Sequence, residues 1–485
     1  MTTADSSRRT HYLVTYVIIA VSTASFALLQ SMTVPVLPRI ETELGTSQST
    51  VTWVLTAYLL SASVFTPIIG RLGDAYGKER MLVLSLSCLS LGSLIAALAP
   101  SIEVMIAARV ITGVGGGVLP IAFGIIRDEF PEHRIASAAG FVSSLMAVGF
   151  GAGIVVAGPI VNGLGYHWLF WIPFIVTSLA AVAAKVFVPE SPVRTPGRVP
   201  VLPAFLLTAW LVAILLGLSQ APRWGWASVE VIGLIVGGIV LAAAWIAVEH
   251  HETVPLIDMR MMRLRGVWTT NLVALTVGFA MYSMFGFLPQ FLQTPEATGY
   301  GFGLDTTESG LLILPNAVAS FICGLVAAPL ARRIGAKVVV VAGSLLGAAG
   351  IAGFVLFHDT HWQVLVVNGV IGLGIGVVFS SLAPLILAAV PPEQTGVASG
   401  MNANIRTIGG AIGSAVTATI VTSSLDPEGL PLESGYSSAF TVLAGVLVLA
   451  AAAGLSIPSM SRRRLEKQLA MDPAVATEAI AVPAR

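Results

Sequence analysis

The chain has 485 residues, of which 55% are hydrophobic and 10% charged, and its mean hydropathy is +0.88. A soluble domain carries about 25% charged residues, so these values exclude a soluble globular protein and indicate a polytopic membrane protein. The net charge is zero and no basic cluster is interleaved with aromatic residues outside the apolar runs, which excludes nucleic acid as a partner.

Fourteen apolar runs follow one another along the chain, beginning with one that we interpret as a first span rather than a cleaved leader. Spanning a hydrocarbon core of about 30 Å takes roughly 20 helical residues. Barrel strands are about ten residues long and alternate apolar with polar residues, whereas these runs are continuous, so we predict an all-α fold. The predicted spans are 12–32, 51–69, 81–100, 104–126, 138–161, 167–188, 202–220, 229–248, 269–293, 308–328, 338–357, 363–389, 397–423 and 437–457.

Lys and Arg predict the orientation, because positive residues are retained on the cytoplasmic side. With the N-terminus inside, all but four of the 25 fall in cytoplasmic segments; Arg39 and Arg223 fall outside, and Arg109 and Arg406 lie within spans. This predicts that both termini are cytoplasmic. Arg outnumbers Lys alongside abundant Ala, Gly and Val, which is typical of a GC-rich bacterial genome and predicts a multi-pass protein of the inner (cytoplasmic) membrane.

An internal repeat divides these runs. "RVITGVGGG" from Arg109 resembles "NGVIGLGIG" from Asn368, and "AAGFVSSLMAVGFGAG" from Ala138 resembles "ASGMNANIRTIGGAIG" from Ala398, at offsets of 259 and 260. The matches predict two like-oriented six-helix bundles, 1–195 and 266–465, with two additional helices in 196–265 and a disordered cytoplasmic tail in 466–485. Such bundles usually place a substrate site at their interface near the membrane midplane, which is the design of a transporter.

The segment "GRLGDAYGKER", residues 70–80, carries five charges between the second and third runs. It resembles the signature loop of the major facilitator superfamily, G-x-L-x-D-x-x-G-[RK]-[RK], although Glu79 stands at the second basic position. The residues that match are Gly70, Leu72, Asp74, Gly77 and Lys78.

The resemblance implies a major facilitator fold and a gating role for this loop. It implies that Asp74 faces the N-terminus of a helix in the other half, where the helix dipole favours a carboxylate. It also implies that Asp74, Lys78 and Asp128 form an inner charge cluster that holds the halves together in the outward-facing state. The alternative is a topology signal made of solvated charges.

Two further segments resemble motifs of the same family. "RVITGVGGG" is similar to a motif whose arginine, here Arg109, has a role in proton coupling; the alternative is an arginine that snorkels to the outer interface. "GAGIVVAGPIVNGLGYHWLFWIP" is similar to the antiporter motif of drug exporters, a glycine-rich helix kinked by proline, although Asn162 replaces one glycine; the alternative is a kink without directional meaning. The motif positions that we assign to this helix are Gly153, Gly158, Pro159 and Gly163.

The count of fourteen spans, with "PQFLQ", "ESGLLILP" and "GVASGMNANIRTIGGAIGSA", resembles the larger branch of drug:proton antiporters. Members usually carry an aspartate in the first helix, where this chain has Leu29 and Gln30. All acids fall in loops or near span ends, so we expect the cavity to favour neutral, zwitterionic or anionic compounds over dications. The candidates for proton coupling or cavity lining are Gln30, Arg109, Arg406 and Glu308.

These patterns predict a secondary active transporter that exports small amphipathic compounds, drugs or secondary metabolites, in exchange for protons by rocker-switch alternating access. The expected partners are a small-molecule substrate, protons and lipid, for a monomer that uses the proton gradient and no cofactor or metal. The alternatives are a proton-coupled or facilitative importer of the same fold and a membrane sensor that has lost transport. The predicted spans contain no H-E-x-x-H, no paired intramembrane aspartates and no G-x-S-x-G, so no catalytic motif favours an enzyme.

Overall fold

A computed structural model describes residues 3–191, 200–252, 255–426 and 429–458, and within them the regular secondary structure is helical apart from one isolated bridge between Leu425 and Pro431. The predicted tail, 466–485, and the boundary at 195 lie outside the described residues. The long helices are α1 Thr3–Met32, α2 Trp53–Tyr76, α3 Lys78–Ala97, α4 Ile102–Glu129, α5 Glu132–Leu164, α6 Trp168–Phe187, α7 Val201–Trp224, α8 Val229–His251, α9 Arg265–Gln293, α10 Thr306–Ile334, α11 Ala336–Leu356, α12 His361–Ala389, α13 Thr395–Val421 and α14 Glu433–Leu455.

Each predicted run coincides with one of these helices. Twelve of them are long and apolar enough to cross a membrane, and α5 would be a thirteenth span if its two segments, which meet at a 40° bend next to residue 150, count as one. The helix α13 has 27 residues but a more polar composition. Its polar residues, among them Asn402, Asn404 and Arg406, are buried in protein, so they do not face lipid.

The two halves repeat the same packing pattern. In α1–α6 and again in α9–α14, the first helix contacts the fifth and sixth, the second contacts the fourth, and the third contacts the fourth and sixth. The matched glycines also occupy equivalent contacts: Gly113 lies against Ser61 of α2, and Gly372 lies against Asn316 of α10. The internal repeat therefore corresponds to two equivalent bundles.

The bundles meet along two seams. In one, α5 contacts α10 and α12; in the other, α13 contacts α2 and α4. We call the side that holds Gly77 and Gly335 the inner side, which is the predicted cytoplasmic face, and the opposite side the outer side. Both glycines have positive φ, +118° and +89°, so the repeat extends to these turns.

The additional pair α7 and α8 lies against the second seam. The two helices contact each other, and α7 also packs on both α2 and α13. Much of α8 is exposed, with Val229, Val236 and Val240 pointing outward as expected for a lipid-facing helix. The pair therefore belongs to neither bundle and touches one helix of each.

Candidate inner gate and central cavity

Asp74 lies near the inner end of α2 and contacts the first turn of α13 in the other half. Its Oδ2 accepts a hydrogen bond of 3.2 Å from the backbone N–H of Val397, and the residue is 2% exposed. The N-terminus of a helix carries partial positive charge, which stabilises the carboxylate. This is the position that the resemblance implies; a gating role stays a prediction.

Two glycines allow this contact. A Cβ added at Gly70 would lie 2.7 Å from the carbonyl oxygen of Gly396, and a Cβ at Gly396 would lie 2.7 Å from that of Gly70 and 2.9 Å from Asp74 Oδ1. Any larger residue would separate the helices. Gly70 therefore serves close approach between the halves rather than a turn.

Lys78 begins α3 and is almost completely buried, with 1% exposure. Its Nζ donates to Asp128 Oδ2 at 2.6 Å and to Ser191 Oγ at 3.5 Å, and the Ser191 hydroxyl also bonds to Asp128. Gly124 leaves room for the lysine stem, since a Cβ there would lie 2.7 Å from Lys78 Cε. The structure thus pairs Lys78 with Asp128 within the first half, while Asp74 contacts the second.

Glu79, the departure from the family pattern, has its own partner. Its Oε1 accepts from Lys185 Nζ at 3.1 Å, and the next residue, Arg80, pairs with Glu190 at 3.4 Å. Both partners lie at or after the end of α6. The acidic residue is therefore compensated locally, and the turn between α2 and α3 is fixed to its own half.

The sequence indicates no more for Arg127 than a cytoplasmic positive charge, yet this residue links the two halves. Its guanidinium donates to the carbonyl of Val390 at 2.8 Å and to Thr395 Oγ1 at 2.9 Å. Carbonyls after the last turn of α12 lack helical partners and carry partial negative charge, so an arginine there is favourable. No local signal marks such a residue, because its partners lie some 260 positions away along the chain.

On the outer side, α5 and α10 make the contact between the halves. A Cβ at Gly158 would lie 3.3 Å from Thr307 Cα, and a Cβ at Gly310 would lie 2.9 Å from Val155 Cα. Gly163 has no neighbour within 4 Å of an added Cβ. Of these two motif glycines, therefore, only Gly158 serves the seam.

The bend in α5 does not fall at Pro159. It falls next to residue 150, between segments that end at Gly149 and resume at Gly151. Gly149 accepts a hydrogen bond of 2.9 Å from Ser31 Oγ of α1, and Gly153 packs on the same serine. Glycines bend helices where a neighbour approaches closely, so the expected proline kink is replaced by a glycine bend.

Arg109 lies wholly inside the protein, with 0% exposure. Its Nε donates to the carbonyl of Val54 at 3.2 Å, and its guanidinium carbon lies 4.5 Å from the centroid of the Tyr58 ring. Both other guanidinium nitrogens are buried without a hydrogen-bond partner among the described residues. The side chain therefore does not snorkel; it faces α2.

A small cavity lies between the halves at Arg406. It has a volume of about 30 Å³, enough for about one or two water molecules. Residues of α1, α2, α4, α5, α9 and α13 line it, including Gln30 and Arg406. With contacts between the halves on both the inner and outer sides, the structure shows the two bundles closed around this space.

Glu308 does not lie there. It is exposed at the outer end of α10, where its backbone N–H donates to Asp305 Oδ1 at 2.7 Å and its carboxylate accepts from the Asp305 N–H at 3.2 Å. This reciprocal pair is a capping box that satisfies helix-end donors. Glu308 therefore does not line the central cavity, and its role in proton coupling stays a prediction.

Two six-helix bundles of like orientation, joined at two seams around a central cavity, define a secondary-transporter fold. A family model described as the Major Facilitator Superfamily matches residues 19–414, and again 295–473. The chain therefore belongs to the major facilitator superfamily.

Similar proteins include several that are named for drug resistance or export. The chain is 30% identical over 450 residues to the cephamycin export protein CmcT of Amycolatopsis lactamdurans, covering 88% of each chain. It is 28% identical to the multidrug resistance protein Stp of Mycobacterium tuberculosis, over 80% of this chain and 72% of that protein. It is 26% identical to the tetracenomycin C resistance and export protein of Streptomyces glaucescens, over 84% and 76%.

Among solved structures, the human organic anion transporter MFSD10 has the same fold. The TM-score is 0.65 at 17% identity, over 92% of this chain and 99% of that one. The chain is thus a multi-pass membrane transporter of a family that handles small molecules, with drug-resistance and export proteins among its relatives.

Proposed function

We propose that this protein exports small amphipathic compounds, drugs or secondary metabolites, from the cytoplasm in exchange for protons. The observation that supports this most is a closed central cavity lined by both halves, with separate contacts between the halves on each side of the membrane. The printed names of CmcT and the tetracenomycin protein describe export, which favours that direction here.

Transport would proceed by rocking of the two bundles. Opening to the inside breaks the contacts of Asp74 and Arg127 with α12 and α13, whereas opening to the outside separates Gly158 and Gly310 from their partners. Because the two sets lie on opposite sides, one can open while the other stays closed, which is alternating access.

We propose that the buried charged residues near the seams bind and release the exchanged protons. Lys78 Nζ donates to both Asp128 and Ser191, and the Ser191 hydroxyl also bonds to Asp128. Two guanidinium nitrogens of Arg109, beside the Tyr58 ring, have no hydrogen-bond partner among the described residues. Protonation of a carboxylate in such a pair removes its attraction to the lysine, so a proton could shift the balance between conformations. We place the protein in the cytoplasmic membrane as a monomer with both termini inside, powered by the proton gradient without a bound cofactor.

The test is transport of a compound panel by purified protein in proteoliposomes under an imposed pH gradient. We expect a subset of amphipathic compounds to accumulate against their gradient, and a protonophore to abolish the accumulation. Empty liposomes give the background. Equal movement with and without the pH gradient, for every compound, would contradict proton-driven export.

A further inference from the structure

Arg406 carries the one charge of α13, and that charge is buried without a carboxylate beside it. The residue is 6% exposed, and no ion pair joins it to an acid in the part of the chain that the structure describes. Its Nε has no hydrogen-bond partner among the described residues. A buried guanidinium with a free donor is costly, so a ligand that supplies negative charge would be stabilised there.

What surrounds the guanidinium leaves this charge uncompensated. Its carbon lies 4.6 Å from the centroid of the Phe379 ring, and the hydroxyl of Tyr282 is a hydrogen-bond partner. Neither group carries a negative charge. A cation–π contact stabilises a buried guanidinium less than a hydrogen-bonded carboxylate does at low dielectric.

Arg406 also lies where a substrate would enter. It lines the cavity of about 30 Å³ and a second one of about 10 Å³. Both cavities are bounded by residues of both halves, so each widens when the halves separate. The larger cavity is also lined by the polar residues Gln30 and Asn404 and by the apolar residues Phe26 and Met146.

We propose that Arg406 binds the acidic group of the substrate and that the transported compounds are amphipathic organic anions with an aromatic or other apolar body. This inference rests on the proposed transport function. The guanidinium takes a carboxylate in a bidentate hydrogen bond, Gln30 and Asn404 bind its remaining oxygen lone pairs, and the apolar wall accommodates the body. A cationic compound is repelled by the same charge.

The experiment uses three naphthalene compounds of similar size that differ in charge: naphthaleneacetate, naphthaleneacetamide and naphthylethylamine. Binding to the purified full-length protein is measured by equilibrium dialysis. We expect the acetate to bind at least about tenfold tighter than the neutral amide, the size of a charge-assisted hydrogen bond, and the amine to bind weakest.

The substitution Arg406→Gln should remove the preference for the acetate while leaving the affinity for the amide within about twofold, which shows that the cavity is still folded. Arg406→Lys should keep part of the preference. Arg39→Gln, which removes an exposed positive charge on the outer side, is the matched control and should change nothing. Proteoliposome uptake of the same compounds should follow the same order.

Two results would overturn the inference. One is a wild-type protein that binds the acetate no better than the amine, or binds none of the three. The other is an Arg406→Gln variant that loses affinity for all three equally, which would make Arg406 a structural residue between α9 and α13. If transport of the compound panel under a pH gradient succeeds in either case, the proposed function stands and only the substrate class fails.

Discussion

Asp74 and Arg332 occupy equivalent positions of the two repeats but carry opposite charge. Asp74 bonds to the N-terminus of α13, whereas Arg332 lies at the N-terminus of α5, 3.5 Å from the carbonyl of His133 and from Ser137 Oγ. A helix N-terminus favours an anion and disfavours a cation. The helix dipole therefore favours the contact of Asp74 and disfavours that of Arg332.

We expect Asp74→Asn to reduce transport at least about tenfold without lowering the amount of protein in the membrane. The amide keeps the shape of the carboxylate but loses the charge that favours the helix terminus, and a charge-assisted hydrogen bond contributes about 1.5–3 kcal/mol. The measurement is the initial rate of uptake by equal amounts of protein. Arg332→Gln is the control at the equivalent position and should stay within about twofold, because its contacts are long and exposed.

Wild-type transport rates in a normally inserted Asp74→Asn protein would show that segment 70–80 is a topology signal and not a gate. The position of Asp74 could be predicted because segment 70–80 resembles the signature loop of a known family. Arg127 and Ser191 could not, because nothing beside them in the sequence marks the distant groups that they bind.

At the scale of helices, the contact between α5 and α10 shows which glycines of the motif lie at the seam between the halves. Gly158 touches Thr307 across the seam, whereas Gly163 faces open space. The sequence placed all four motif residues on one helix correctly, but spacing alone does not tell which side of a helix meets the other half. The bend next to residue 150 could likewise not be predicted from the sequence, because it depends on the approach of Ser31 from α1.

We expect Gly158→Val to slow transport about tenfold or more and Gly163→Val to leave it near the wild-type rate. The added side chain at Gly158 overlaps α10, so the outer side cannot close, and overpacking of this kind typically costs about 1–3 kcal/mol. Uptake rates of both variants, normalised to purified protein, give the comparison. Equal effects of the two substitutions would show that the outer seam does not depend on this contact.

The additional pair α7 and α8 bridges the halves on the outer side. At the end of α7, Arg223 donates to Thr52 Oγ1 before α2 at 3.0 Å. In the turn between the two helices, Trp226 Nε1 donates to Thr419 Oγ1 of α13 at 2.7 Å. The presence of this helix pair was predicted from two extra apolar runs. Its placement over one seam was not, because both helices are nearly uniformly apolar and carry no facial pattern.

At the scale of the whole molecule, the repeat governs the architecture. Its offset in sequence predicted two equivalent bundles, and the same helix pairs pack in each. The closed state of the cavity could not be predicted, because it depends on contacts between distant segments that a repeat does not encode. Among the described residues, those that line this cavity include no acid, in agreement with the first-helix sequence, and Gln30 lies in the cavity wall.

The most direct test of the proposed mechanism is a record of pH inside proteoliposomes while a transported compound moves down its own gradient, with no pH gradient imposed. Exchange predicts that protons flow in the opposite direction in a fixed ratio to the compound, and that Asp74→Asn slows both movements by the same factor. Movement of the compound at full rate with no change of internal pH would contradict proton exchange and make the protein a facilitative transporter.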